Sequence, residues 1–216
     1  MRNAGILFVV QAADIDETPG DGESSRDCAE RLAREKALAV SQTRPADYIL
    51  GADTIVVVDG NILGKPRDTA DAARMLRMLS GRVHEVITGV CVIEPVASGQ
   101  LPVASKSRAG VRGQGSGGSK GETQSEDMDE KLATGNRRLA TASETTLVTM
   151  SELTDADIRE YIATGEPMDK AGAYAIQGGA SRWIPRIEGD YSNVVGLPVA
   201  LVCRILRERG VPGRND

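Results

Sequence analysis

An α/β fold built on a mixed, twisted sheet flanked by helices follows from three observations on this sequence. Residues 48–58 and 83–93 are nearly unbroken apolar, β-branched runs with strand character. Stretches with apolar residues at helical spacing alternate with them, and turn signals such as Asp59-Gly60 separate the two kinds. With 216 residues and 40% hydrophobic content the chain can bury one good-sized core, so one domain over residues 1–216 is the expectation.

Residues 6–13 read as a first strand, ending in the acidic, Gly/Pro-containing loop DIDETPGDGES. Ser24 or Ser25 can cap the helix that follows, in which Ala29, Leu32, Ala33, Lys36, Ala37 and Val40 recur on one stripe. After the strand at 48–58, Asp59-Gly60 marks a two-residue hairpin. A Gly-Lys-Pro turn then leads to a helix capped by Asp68 or Thr69, with Ala72, Met75, Leu76 and Leu79 buried and Gly81 as its stop.

The strand at 83–93 carries His84, the chain's only histidine, which reads as a satisfied polar group rather than a catalyst. From about 95 to 145 the composition turns to glycine, serine and mixed charge without Phe, Tyr or Trp, the signature of a disordered insertion. Its Arg137-Arg138 pair reads as part of a solvated loop, and TTLVTM at 145–150 resumes strand character. Thr154 and Asp157 stand at capping-box spacing ahead of a helix that ends at Gly165, and Pro198 opens a last helix running to Arg209. Between them, residues 169–198 are dense in glycine without being of low complexity, which points to backbone passing close to something.

The formal charge of −5, with no Lys/Arg stripe, argues against a nucleic-acid partner, although a few lysines in one cleft can still attract a small anion. Cys28, Cys91 and Cys203 are widely spaced and suggest neither a disulfide framework nor a zinc site. The apolar run from Gly5 to Val10 is too short for a membrane span or a signal-peptide core. A cytoplasmic protein without a membrane partner is therefore expected, and a homodimer is left open.

Several polar residues break local rules. Asp53 interrupts a buried strand, Lys36 lies within an apolar helical stripe, Lys65 is held between glycine and proline, Asp169-Lys170 adjoins the glycine-rich run, and Gln177 sits inside AYAIQGG. A carboxylate taken out of water costs several kcal/mol unless a cation, N–H donors or a metal partners it, so Asp53 marks a site. Glu17 and the other acids of DIDE join this set. Carboxylates can hold a divalent cation and handle a water, lysines neutralise phosphate oxygens, and an amide reads a base edge. Phosphoryl or nucleotidyl hydrolysis on a Mg²⁺-type ion fits all three.

The stretch GADTIVVVDGNILGKPRDTADAARMLRMLSGRVHEVITGV, together with YIATGEPMDKAGAYAIQGGASRWIPRIEGDYSNVVGLP and the upstream DIDET and RLAREKA, resembles the Maf family of nucleoside triphosphate pyrophosphatases. The resemblance implies a Maf/ITPase-like sheet, and cleavage of a nucleoside triphosphate between its α and β phosphorus atoms with Mg²⁺ or Mn²⁺. It implies Asp53 as the catalytic acceptor, Asp53 and Glu17 as metal ligands, and Glu17, Lys36, Thr54, Lys65, Lys170 and Gln177 as substrate contacts. Thr54 and Gln177 resemble the dTTP/UTP-preferring branch. The Ser-x-Ser-Pro-Arg-Arg loop with which members usually begin does not occur in this sequence. Each lost charge-assisted phosphate contact costs about 1.5 to 3 kcal/mol, so the alternative expectation is a nucleotide binder with impaired turnover.

Overall fold

A computed structural model of the chain describes residues 6–96 and 137–211. Five strands form one sheet in the order β2-β1-β3-β4-β5: β1 Ile49–Val58, β2 Asn61–Leu63, β3 Val83–Ile93, β4 Leu139–Thr149 and β5 Arg186–Glu188. The helices are α1 Ser25–Thr43, α2 Thr69–Leu79, α3 Asp155–Ala163, α4 Tyr191–Val195 and α5 Val199–Glu208, with three short 3₁₀ turns between Glu166 and Trp183. The helix-flanked sheet agrees with the expected class. Its four pairings are all antiparallel, so the parallel component of a mixed sheet is not seen among the described residues.

The local signals act as read. Ser24 caps α1 by accepting from the Asp27 N–H, Asp68 caps α2 in the same way, and Thr154 and Asp157 form a reciprocal capping box. Asp59 and Gly60 both take positive φ, at 49° and 75°, as a two-residue hairpin twisted to match its strands requires.

Residues 6–24 have no regular element, and Leu7, Val9 and Val10 are exposed. The strand expected at 6–13 is absent because a strand needs a partner ladder, and no described strand pairs with this stretch. The expected insertion at 95–145 narrows: residues 97–136 lie outside the described set, while β4 begins at Leu139 and pairs with β3 from Ile93↔Leu139 to Val83↔Thr149. Pairing with a long neighbour extends the strand upstream of its apolar core.

Arg137 is not solvated. It is 9% exposed and donates to the carbonyls of Glu94, Ser41, Pro45 and Asp47 at 2.9 to 3.4 Å, fastening the α1–β1 connection to the sheet. No described helix is long and apolar enough to cross a membrane.

Strand alternation divides the core. Ile49, Ile55, Val57, Ile87, Cys91 and Ile93 face α1, where they meet Ala29, Ala33 and Ala37. On the opposite face Val56, Val58, Val86 and Val148 pack against α2, α3, Tyr174 and Trp183, and Val90 and Val92 pack against α5.

Two glycines set the helix-to-sheet distance. A Cβ on Gly51 would stand 2.2 Å from the Ala33 carbonyl oxygen, and one on Gly89 would stand 2.1 Å from that of Ala29. Both contacts are with backbone, which cannot swing aside. Gly89→Ala is therefore expected to destabilise the protein by about 3 kcal/mol, the upper part of the range for overpacking, read as a lowered urea midpoint.

His84 sits on the face away from α1, 2% exposed, with Nε2 2.8 Å from the Tyr174 hydroxyl. Its Nδ1 has no hydrogen-bond partner. Burial lowers its pKa to about 4. The unfolded chain then binds a proton that the folded ring resists, so stability is full above the ordinary value of 6.5 and is lost as pH falls toward 4. The expected loss is ~3 kcal/mol, and His84→Gln should remove most of it in urea melts compared across that window.

Candidate functional site

β2 pairs only with Val56–Val58, so among the described residues no strand pairs with the upstream part of β1 on that side. There a cleft of about 680 Å³ opens, within the size range of small-molecule sites. Glu17, Asp53, Thr54, Lys65, Arg67 and Lys170 contribute its polar lining; Val56, Val86, Ala171, Tyr174, Val194 and Val195 contribute an apolar wall. Because side chains alternate along β1, Asp53 points to the α1 face and Thr54 to the other, and the cleft wraps around the strand edge to reach both.

On the α1 face, Lys36 Nζ lies 2.5 Å from an Asp53 carboxylate oxygen and 2.5 Å from a Glu17 carboxylate oxygen. Lys65 Nζ approaches Glu17 at 3.8 Å. Asp53 is the most buried of the group, its side chain 10% exposed, and Lys36 follows at 20%. Burial raises the Asp53 pKa, and the Lys36 hydrogen bond offsets this only in part. Burial also opposes the Lys36 charge, but its bonds to Asp53 and Glu17 outweigh that and leave its pKa raised. The Glu17 pKa is lowered, chiefly by its hydrogen bond to Lys36.

Two carboxylates on one nitrogen have those oxygens no more than about twice 2.5 Å apart. That spacing suits a small divalent cation, which typically takes one or two protein carboxylates and completes its shell with water and phosphate oxygens. No third His, Cys, Asp or Glu joins them as a metal cluster among the described residues.

Of the residues singled out in the sequence, Glu17, Asp53, Thr54, Lys65, Asp169 and Lys170 line the cleft, and Lys36 stands outside its lining, bonded to Asp53 and Glu17. Lys170 lines the cleft and pairs with Asp169 at 2.7 Å. Gln177 does not join the lining. It is exposed on a turn pinned on either side, by the Tyr161 hydroxyl accepting from the Ala175 N–H and by the Glu166 carboxylate accepting from the Gly179 N–H. A Cβ at Gly178 would collide with that Glu166 carboxylate, which accounts for the glycine beside Gln177.

Sequence reasoning passed over Arg67, Tyr174 and the polar groups behind Thr54. Arg67 lines the cleft with its Nε and its backbone N–H donating to Asp71, the acid in the first turn of α2. Its signal was two residues from Lys65. Tyr174 is 5% exposed and gives no pattern beyond an aromatic in a glycine-rich run. Cys28 also borders the cleft, and burial pushes its thiol up to about 11.

The family model for Maf-like proteins matches residues 1–112 and 124–209. A dTTP/UTP pyrophosphatase of Koribacter versatilis is 44% identical over 211 residues, covering 98% of this chain and 88% of that protein. One from Geotalea uraniireducens is 43% identical over 210 residues, with 97% and 88% covered, and one from Symbiobacterium thermophilum is 42% identical over 212, with 98% and 88% covered. A match over nearly the whole chain, with the carboxylates and lysines of its motifs gathered in one cleft, makes this chain a member of the Maf-like protein family.

Proposed function

We propose that this chain, read as one Maf-like domain over residues 1–216, hydrolyses dTTP and UTP to the monophosphate and pyrophosphate. The observation that carries this reading is the Lys36 ammonium held between Asp53 and Glu17 at one end of a cleft whose other wall is apolar. A triphosphate belongs at the charged end, where Lys65, Lys170 and Arg67 line the cleft and Lys36 stands against Asp53 and Glu17, so that cations offset its negative charge. The base belongs against Val56, Tyr174, Val194 and Val195, near the Thr54 hydroxyl. The names of the curated relatives support the choice of base.

Asp53 acts as the proton acceptor for the attacking water. A carboxylate whose pKa is raised by burial is a stronger base than one in solvent, and the Lys36 ammonium facing it favours its charged form. Lys36 thus tunes Asp53 before substrate arrives and contacts phosphate afterwards. Asp53 and Glu17 are the residues that would hold a Mg²⁺ or Mn²⁺ ion, whose chemistry when bound is to neutralise phosphate oxygens and acidify water. Three widely spaced cysteines, Cys28, Cys91 and Cys203, accord with a reducing, cytoplasmic setting.

Pyrophosphate release from dTTP and UTP with Mg²⁺ or Mn²⁺ tests the reading, and Asp53→Asn should lower it by about a hundredfold or more in a protein that still folds. No release from either nucleotide by the parent chain would overturn it. The acid limb of kcat/KM against pH offers a second check. Lys36→Met removes the cation that holds the Asp53 pKa down, so its limb should move to higher pH. Glu17→Gln removes a like charge that pushes it up, so its limb should move to lower pH.

A further inference from the structure

Behind Thr54, on the face of the sheet away from Asp53, lies a short chain of hydroxyls. Thr88 is the direct cross-strand partner of Thr54 in the β1–β3 register and is wholly buried, at 0% exposure. The two Oγ1 atoms are 2.9 Å apart. Thr88 Oγ1 is also 3.3 Å from the Asn193 carbonyl oxygen, and Thr54 Oγ1 is 3.4 Å from the Gly196 carbonyl oxygen.

These three contacts share two hydroxyl protons, so one contact is always without one. The longest, from Thr54 to Gly196, is the weakest. Giving protons to the other two sends the Thr88 proton to Asn193 and the Thr54 proton to Thr88. The Asn193 carbonyl is a fixed target, because the Asn193 side chain is itself buried and its Nδ2 donates to the Val86 carbonyl at 2.9 Å and to Thr146 Oγ1 at 3.0 Å.

The Thr54 oxygen and the Gly196 carbonyl are then left as two neighbouring acceptors on the cleft wall. We propose that Thr88 is a positioning residue for base selection: it takes the Thr54 proton, so that the wall presents acceptors only and favours a pyrimidine whose N3 carries a hydrogen. Uracil and thymine carry that N3–H. Cytosine presents a bare nitrogen lone pair at the same place, and an acceptor set against two half-buried acceptors is left unpaired. This inference rests on the reading that the cleft takes a pyrimidine triphosphate, and it adds what selects the pyrimidine.

The test is the ratio of kcat/KM for UTP to that for CTP, measured on the full chain and on Thr88→Val and Thr88→Ser. Without its acceptor the Thr54 hydroxyl is free to turn its proton into the cleft, so Thr88→Val should lower the ratio at least about tenfold. Thr88→Ser, which keeps the hydroxyl, should restore it. A purely structural role would depress both substrates together and leave the ratio where it was.

An unchanged ratio in a Thr88→Val protein that still cleaves UTP would overturn the inference, as would a parent chain that does not prefer UTP over CTP. Should Thr88→Val fail to fold, N3-methyl-UTP given to the parent chain decides: turnover as fast as UTP overturns the proposal, and strong rejection upholds it. If the parent chain cleaves neither UTP nor dTTP, the underlying functional reading fails and this inference falls with it, which separates that failure from a changed selectivity alone.

Discussion

The close seating of α1 on the sheet is the constraint on which the rest depends. Helices normally rest on a layer of side chains, yet here the Ala29 and Ala33 carbonyls reach the space where Cβ atoms would stand on Gly89 and Gly51. Alanines at 29, 33 and 37 keep the helix side of the contact equally thin. Lys36 belongs to this same helix, and its ammonium meets Asp53 because the backbone of α1 is so near β1. Gly89 is also the register partner of Asp53, so the closest approach falls directly beside the acid.

That proximity sets the electrostatics. Burial disfavours the charged form of each, raising the Asp53 pKa and opposing the Lys36 charge. Each favours the charged form of the other, and Glu17 closes the triad from a loop, its side chain 44% exposed. The close packing of α1 on the sheet holds this ion pair at the edge of the cleft.

The opposite face of β1 is organised differently. Thr54, Thr88, Asn193 and Thr146 form a chain of neutral hydrogen bonds there, to one another and to surrounding carbonyls, which ties α4 to β3 and β4. Neutral hydroxyls suit the base-facing wall proposed above, since they carry direction without demanding a counter-ion. One strand therefore presents a charged group on one side and directional neutral groups on the other, and two chemically distinct ends of one cleft meet at its edge.

Periodicity, capping residues and the Asp59-Gly60 turn were enough to locate most helices and strands, because each of those signals acts within a few residues of itself. The rule-breaking polar residues were legible for the same reason: Asp53 and Lys36 contradict their immediate neighbours. Short elements such as β5 and α4 were not legible, since each is too brief to show a period and exists only through its pairing with β4 or its hydrogen bonds to β3. The strand expected at residues 6–13 failed in the converse way, having the pattern but no described partner.

The sequence by itself determined which segments can be helix or strand and which side chains must find an unusual partner, because propensity and the cost of burying charge are local properties. Only the tertiary structure decided who those partners are. Lys36 meets Asp53 across 17 positions and Thr54 meets Thr88 across 34, and both pairings arise from helix seating and strand register, which are set by the packing of the whole sheet.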